Sequence, residues 1–364
     1  MMHTCLPAAR AASRKTAAPA RIVRDRKGRS LRIDLHCHYF NVEAHQKAMK
    51  VDPGHLDPIV KYANALTRET NAKQNRDRAA MLSSIETRLA DMDRMGIDIQ
   101  AVSPSPNQTY YWTPPDVGLE IARDVNDRLA QIVASHPDRF VALGTIPLQD
   151  AGLAVRELDR CVNELGMRGV EINPNVDGTE LTDKRLGLDK FFARAEALGI
   201  VVFLHPIGYT QGERLSDHYF SNVIGNPLDT TVAASHLIFD GVLDRHPKLK
   251  IVLPHGGGYL AHYWARMDHA HRARPDCRTA IRRAPSSYLK KMYFDTITFE
   301  PRMLRHLLDI YGAEHVVLGT DYPYDMADMD PVATIGKIPR ITRAERDLIE
   351  GGNAARLLGI RRKR

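Results

Sequence analysis

From residue 31 onward, short runs rich in Val, Ile and Leu alternate eight times with amphipathic helical stretches. The predicted strands are LRIDLH (31–36), IDIQAVS (97–103), FVALGTI (140–146), GVEI (169–172), IVVFLH (200–205), KIVLPH (250–255), MYFDT (292–296) and HVVLGTD (315–321). Helical segments are predicted over 81–95, 116–135, 151–165, 188–198, 228–246, 258–273, 301–311 and 342–358. Several open on capping or first-turn signals, such as TPPD ahead of 117 and TRAE at 342–345. Eight strand–helix units in order predict an α/β fold, a (β/α)8 TIM barrel around one parallel sheet. A doubly wound open sheet is the rival, but no G-x-G-x-x-G follows the first strand. With no internal repeat and no Pro/Ser-rich linker, 31–360 reads as one catalytic domain.

The stretch 40–80 is a polar insertion between the first strand and its helix. In a barrel such a loop lies over the C-terminal face, where it can act as a lid or a substrate-binding loop. The net charge of +7 suggests a nucleic-acid partner until it is located. Residues 1–29 hold eight Lys/Arg against one Asp, and 361–364 add four more, leaving a mildly acidic body of 39 basic and 43 acidic residues. The basic segment 1–30 lacks the apolar core of a secretory signal and reads as a disordered extension. No stretch of about 18 uninterrupted apolar residues is present, so neither a membrane nor a nucleic acid is expected as partner. Cys5, Cys37, Cys161 and Cys277 are scattered without a CxxC pair, as for reduced thiols in a cytoplasmic enzyme.

The chemistry-bearing residues gather at the strand ends. Residues i and i+2 of a strand share a face, so His36 and His38 point together and Cys37 away. HxH alone is a weak signal; its weight comes from His205 after strand 5, His255 after strand 6 and Asp321 after strand 8. All five fall at C-terminal strand edges and converge on one mouth of the barrel. Neutral imidazoles with a carboxylate suit zinc, or manganese as the alternative, with an open position for water or substrate.

The stretches IDLHCH, RFVALGTIPLQD, VRELDRCVNELGMRGVEI, FLHPIG, HPKLKIVLPHGGG and VVLGTDYPYDM, in this order, cover nearly all of 31–360. In them the chain resembles the amidohydrolase superfamily, in its branch of carboxymuconate-semialdehyde and γ-resorcylate decarboxylases. The resemblance implies one divalent metal ion on His36, His38, His205 and Asp321, with His255 as an acid/base residue beside it. It also implies two substrate-binding arginines: Arg76 in the insertion, with Arg78 as its alternative, and Arg266, which reaches the site of a partner in a homodimer. Guanidinium groups suit carboxylates because they bind them bidentately.

Some positions depart from the branch pattern. Ile207 and Asn222 stand where the carboxymuconate enzyme has tryptophans, which implies a different pocket wall and a different substrate. Glu171 reads as a barrel carboxylate, not as a ligand of a second metal, because no lysine follows strand 4 to carry a bridging carbamate. His262, His269 and His271 are expected at the surface or an interface, and Tyr110, Tyr111 and Trp112 in the pocket wall or in loop packing. The function these readings favour is a metal-dependent, non-oxidative decarboxylase of an aromatic or unsaturated, muconate-like acid, with Asp321 and His255 delivering the proton. A hydrolase of an amide, lactone or C–C bond in an acidic substrate is the alternative. A metal-stabilised binding protein without turnover fits the acid/base residues poorly.

Overall fold

The computed structural model describes residues 29–361. Eight parallel strands form one sheet: β1 (Ile33–Tyr39), β2 (Ile99–Pro104), β3 (Phe140–Gly144), β4 (Gly169–Ile172), β5 (Val201–Leu204), β6 (Lys250–Leu253), β7 (Tyr293–Asp295) and β8 (Val316–Val317), neighbours in chain order. Hydrogen bonds from Leu35 N to Leu318 O (2.9 Å) and from His38 N to Tyr322 O (2.8 Å) bring β1 back to the chain after β8 and close the barrel. Its interior is packed by Ile33, Leu35, Ala101, Leu143, Val201, Phe203, Val252 and Val317. A larger apolar layer lies between the sheet and the outer helices.

The predicted helices are present with adjusted ends, and Pro301–Tyr311 matches without change. Thr342 and Glu345 form the reciprocal capping box that TRAE suggests. The predicted segment 228–246 instead runs from Gly225 to Phe239 and restarts as Val242–Arg245, because Gly241 turns with φ 74°. The eighth strand keeps only two of its seven predicted residues. Past Val317 the chain leaves the ladder: Leu318 N bonds Ile349 O, and the amides of Thr320 and Asp321 both reach His36 O.

The alternation of β1 is interrupted by a bulge. Its register against β2 shifts between Asp34 and Cys37, so Leu35 packs in the barrel interior and His36 next to it also faces inward. Cys37 points outward and His38 inward, the disposition HxH suggests.

Asp34 is fully buried in the closing seam, where it accepts from Thr320 Oγ1 (2.7 Å), Thr320 N (3.1 Å), His36 N (3.1 Å) and Gln100 Nε2 (3.0 Å). Gln100 in turn accepts from the buried Arg88 (3.0 Å), whose guanidinium also holds His38 O and lies over the Tyr322 ring.

The insertion after β1 contains the helices Val42–Ala48, Pro58–Lys61, Ala65–Asp77 and Ala79–Ser83. Its first half is stitched to the loop after β5 by Ile59 N to Ile207 O (3.2 Å) and Asn64 N to Ser216 O (3.0 Å). Its far end is pinned to the loop after β8 by Arg78, which donates to Pro323 O (3.2 Å) and Tyr324 O (3.0 Å). Helix Ala65–Asp77 thus spans the mouth as a roof.

Residues 1–28 and 362–364, which include most of the basic segments and Cys5, lie outside the described residues. No helix among the described residues is long and apolar enough to cross a membrane. Substituting Arg88→Met removes the donors of His38 O and Gln100 while keeping most of the volume. Denaturant titration should show a loss of about 3 kcal/mol.

Candidate metal centre

Three imidazoles and one carboxylate meet at the C-terminal mouth. The donor atoms of His36, His38, His205 and Asp321 all lie within 4.8 Å of one another, and all four residues are buried. His36 Nε2 is 3.1 Å from His38 Nε2, and Asp321 Oδ1 is 3.2 Å and 3.4 Å from these two nitrogens.

The other ring nitrogen of each histidine fixes its tautomer. His36 Nδ1 is 2.6 Å from Asp295 Oδ2, His38 Nδ1 is 3.0 Å from Pro104 O, and His205 Nδ1 is 2.8 Å from Pro206 O. Carbonyls and an ionised carboxylate can only accept, so each Nδ1–H donates and each Nε2 lone pair turns to the centre. His205 Nε2 is buried there with no partner. Two Nε2 atoms facing each other at 3.1 Å beside a carboxylate, and a third left orphaned, call for a cation among them, so the residues fit a single divalent ion.

The electrostatics favour positive charge at this centre, carried by a proton on His36 or by a bound cation. Burial opposes charge on His36, but Asp321 and Asp295 outweigh it and push the ring up to about 10. Burial and the neighbouring rings of His38, His36 and His255 hold His205 well below the ordinary imidazole value. Burial likewise opposes ionisation of Asp321, yet His36, His255 and His38 keep its carboxyl well below the usual range. Neutral His205 and anionic Asp321 are in the forms that ligate a metal.

His255 stands at the edge of this group, with Nε2 3.6 Å from Asp321 Oδ2. Both residues sit where the chain turns sharply off a strand end, with φ of 54° and 58°, a left-handed conformation uncommon outside glycine. The glycines after His255 are required in the same turn. A Cβ on Gly257, at φ 84°, would lie 2.5 Å from the Phe294 ring, and one on Gly258 would lie 2.6 Å from Pro227 O.

Two further carboxylates, Asp295 and Glu171, buttress the centre. Asp295, at the end of β7, bonds His36 and accepts from Gly256 N (2.8 Å) and Ile297 N (3.0 Å). Its position at a C-terminal strand edge in MYFDT was the signal available. Glu171 is a buried barrel carboxylate as expected, but it lies 3.4 Å from His38 Nδ1 and accepts from Ser103 Oγ at 2.5 Å.

A cavity of about 390 Å³ opens above His205 and Asp321. Ile207, Asn222, Tyr219, Tyr324 and Asp325 line it under the roof residues Asn71, Gln74 and Asn75. Arg76 is exposed on the roof helix and is not part of this wall, and Arg266 is exposed on the outer helix Ala265–Ala273. Tyr110, Tyr111 and Trp112 line a neighbouring cavity, where His55 stacks on Trp112 at 4.1 Å. His269 is exposed, while His271 is buried and His262 stacks on His306, so only the first is a plain surface residue.

A closed (β/α)8 barrel with three imidazoles and a carboxylate at its C-terminal mouth defines a mononuclear metal-dependent enzyme scaffold. The chain belongs to the amidohydrolase family, whose sequence profile, described as "Amidohydrolase", matches residues 33–360. It is 32% identical over 334 residues to 2-amino-3-carboxymuconate-6-semialdehyde decarboxylase of Dictyostelium discoideum, covering 91% of this chain and 92% of that protein. The crystal structure of 5-carboxyvanillate decarboxylase from Sphingomonas paucimobilis superposes with a TM-score of 0.81 at 27% identity, covering 91% of this chain and 99% of the other. Dihydroxybenzoic acid decarboxylase from Polaromonas sp. JS666, with bound manganese and the inhibitor 2-nitroresorcinol, gives a TM-score of 0.77 at 25% identity over 92% of this chain and 98% of the other.

Changing both His36 and His38 to Ala should abolish stoichiometric metal binding, read by elemental analysis after dialysis. Asp295→Ala, which frees the His36 ring, should weaken metal affinity by about 10- to 100-fold in a chelator competition while the ligands stay in place.

Proposed function

We propose that the protein is a carboxy-lyase: a metal-dependent, non-oxidative decarboxylase of an aromatic or unsaturated, muconate-like carboxylic acid. The observation that carries this reading is a one-metal donor set in a chain similar, over nine-tenths of its length, to decarboxylases. His36, His38, His205 and Asp321 would hold the ion. Three imidazoles and a carboxylate suit zinc, and the manganese of the related structure makes that metal the alternative. When bound, the ion supplies Lewis acidity toward the substrate's oxygens.

In the proposed reaction the bond between the substrate carbon and its carboxylate breaks and CO2 leaves. The electron pair stays in the conjugated system, and a proton is delivered to the carbon that carried the carboxylate. Asp321 Oδ2 and His255 Nε2, 3.6 Å apart beside the cavity, are the pair able to hold and pass that proton. Phe40, Ile59, Leu82 and Ile207 give the cavity apolar surface for the rest of the substrate.

Arg266 is exposed on the outer helix and does not line its own cavity, so its use as a carboxylate anchor requires a second copy of the chain, and the reading includes a homodimer. Arg76 would need the roof helix to move before it met a substrate. The buried, unbridged Cys37 and Cys161 support a reducing, cytoplasmic setting.

Hydrolysis of an acidic substrate is the competing reaction, because both chemistries fit this scaffold. In heavy water, decarboxylation should release CO2 and place one deuterium on the carbon that lost the carboxylate. Oxygen from labelled water in a product that retains its carboxylate would establish the hydrolase instead. His255→Asn should keep its metal and lose turnover. Mixing it with inactive Arg266→Ala subunits should restore part of the activity, since one site of each hybrid is intact. No recovery despite proven subunit exchange would confine Arg266 to its own chain.

A further inference from the structure

We propose that the substrate carries one carboxylate, the one that leaves, and that its other polar substituents are hydrogen-bond donors, hydroxyl or amino groups, not a second carboxylate. This rests on the decarboxylase reading and concerns the wall of the same cavity. Among the described residues that line it there is no Lys and no Arg. Its ionisable acids, besides the metal-site Asp321, are Asp57 and Asp325.

Both carboxylates retain free acceptor capacity. Asp325 Oδ1 accepts one bond from Tyr219 Oη at 3.3 Å, and Asp57 has His55 3.4 Å from its Oδ1. A carboxylate offers about four lone-pair sites, so each can still accept from a ligand. Six amides, Asn71, Gln74, Asn75, Asn107, Asn222 and Asn226, and the hydroxyls of Ser83, Tyr219 and Tyr324 make up the rest of the polar wall. Amides and hydroxyls can donate or accept, so these groups do not choose between substituents; the two carboxylates do.

A second substrate carboxylate would be held against Asp57 or Asp325 with no cation from this wall to offset the charge. Anions brought together out of water repel, and one of them must take up a proton or leave. A phenolic hydroxyl or an amine in the same place donates a charge-assisted hydrogen bond. Arg78 is the cation that could reverse this argument. It is half-buried and stands outside the wall, with Nη1 committed to the carbonyls of Pro323 and Tyr324. Arg266 of a second copy, if it reaches the site, adds one cation for the carboxylate that leaves.

The test uses the metal-loaded full chain and benzoic acids that differ at a single ring position, bearing hydroxyl, amino, hydrogen or carboxylate. Binding is read by calorimetry and turnover by CO2 release, for each ring position in turn. The hydroxyl or amino acid should bind on the order of tenfold tighter than its carboxylate counterpart. Asp325→Asn and Asp57→Asn should each be compared with the parent, and at least one should shrink that preference severalfold, through Kd and KM more than through kcat.

Equal or tighter binding of the diacid would overturn the proposal, as would a preference unchanged in both variants. Tight diacid binding that disappears in Arg78→Gln would overturn it too and make Arg78 the anchor. The expected binding order without CO2 release from any acid would instead retire the decarboxylase reading and leave the donor preference standing.

Discussion

Asp34 accepts four hydrogen bonds inside the seam between the first strand and the chain after the last, and the geometry of the mouth follows from that arrangement. Two of its donors belong to Thr320, one residue before the ligand Asp321, and a third is the amide of the ligand His36. Its fourth donor, Gln100, leads through Arg88 to the carbonyl of His38. One buried side chain therefore sets three of the four metal donors relative to one another. Burial raises its own carboxyl to about 6 despite the bonds from Thr320 and Gln100. An acid withdrawn this far from water is tolerated only because every donor around it is aimed at it.

The metal cage follows a similar logic at shorter range. Each imidazole gives its Nδ1 proton to a fixed acceptor, and the Nε2 atoms are thereby turned toward one centre, those of His36 and His38 3.1 Å apart. Two of these acceptors are backbone carbonyls, one of Pro104 at the end of β2 and one of Pro206 just past β5, so the barrel itself orients the rings. The third is Asp295, which also accepts from the amide of Gly256 and so ties the turn carrying His255 to His36. The turn carrying His255 and the ring of His36 are thereby held by one carboxylate. That coupling explains why the left-handed backbone at His255 and Asp321 persists: the surrounding bonds over-determine it.

Above the cage, the insertion forms a roof whose two attachments lie on the loops after β5 and β8. Those loops also supply much of the cavity wall, including Ile207, Asn222 and Asp325. The shape and charge of the substrate space are thus set by the contact of three separate segments. Among the described residues the result is a wall with acids and amides but no Lys or Arg, over a floor whose four donors fit a divalent ion. A divalent ion on that floor becomes the principal positive charge a substrate carboxylate meets.

The sequence by itself determined the barrel and the four donors. A two-residue spacing along β1 obliges His36 and His38 to share a face, and parallel strands in an eightfold alternation place every strand end at one mouth. These are consequences of local period and of chain order, so His205, His255 and Asp321 were legible without coordinates. Their buttresses were not, because Asp34 finds Thr320 and His36 finds Asp295 across more than 250 residues, where no local period operates. The same holds for the insertion: Arg76 lies in the last turn of the helix Ala65–Asp77, Arg78 sits at the turn before Ala79–Ser83, and they face different surroundings. Only the packing of the roof against the loop after β8 decided that Arg78 is half-buried there and Arg76 left in solvent. The charge of the cavity was likewise fixed by tertiary contact alone, since Asp57 and Asp325 come from opposite ends of the chain and share a wall only once the barrel has closed.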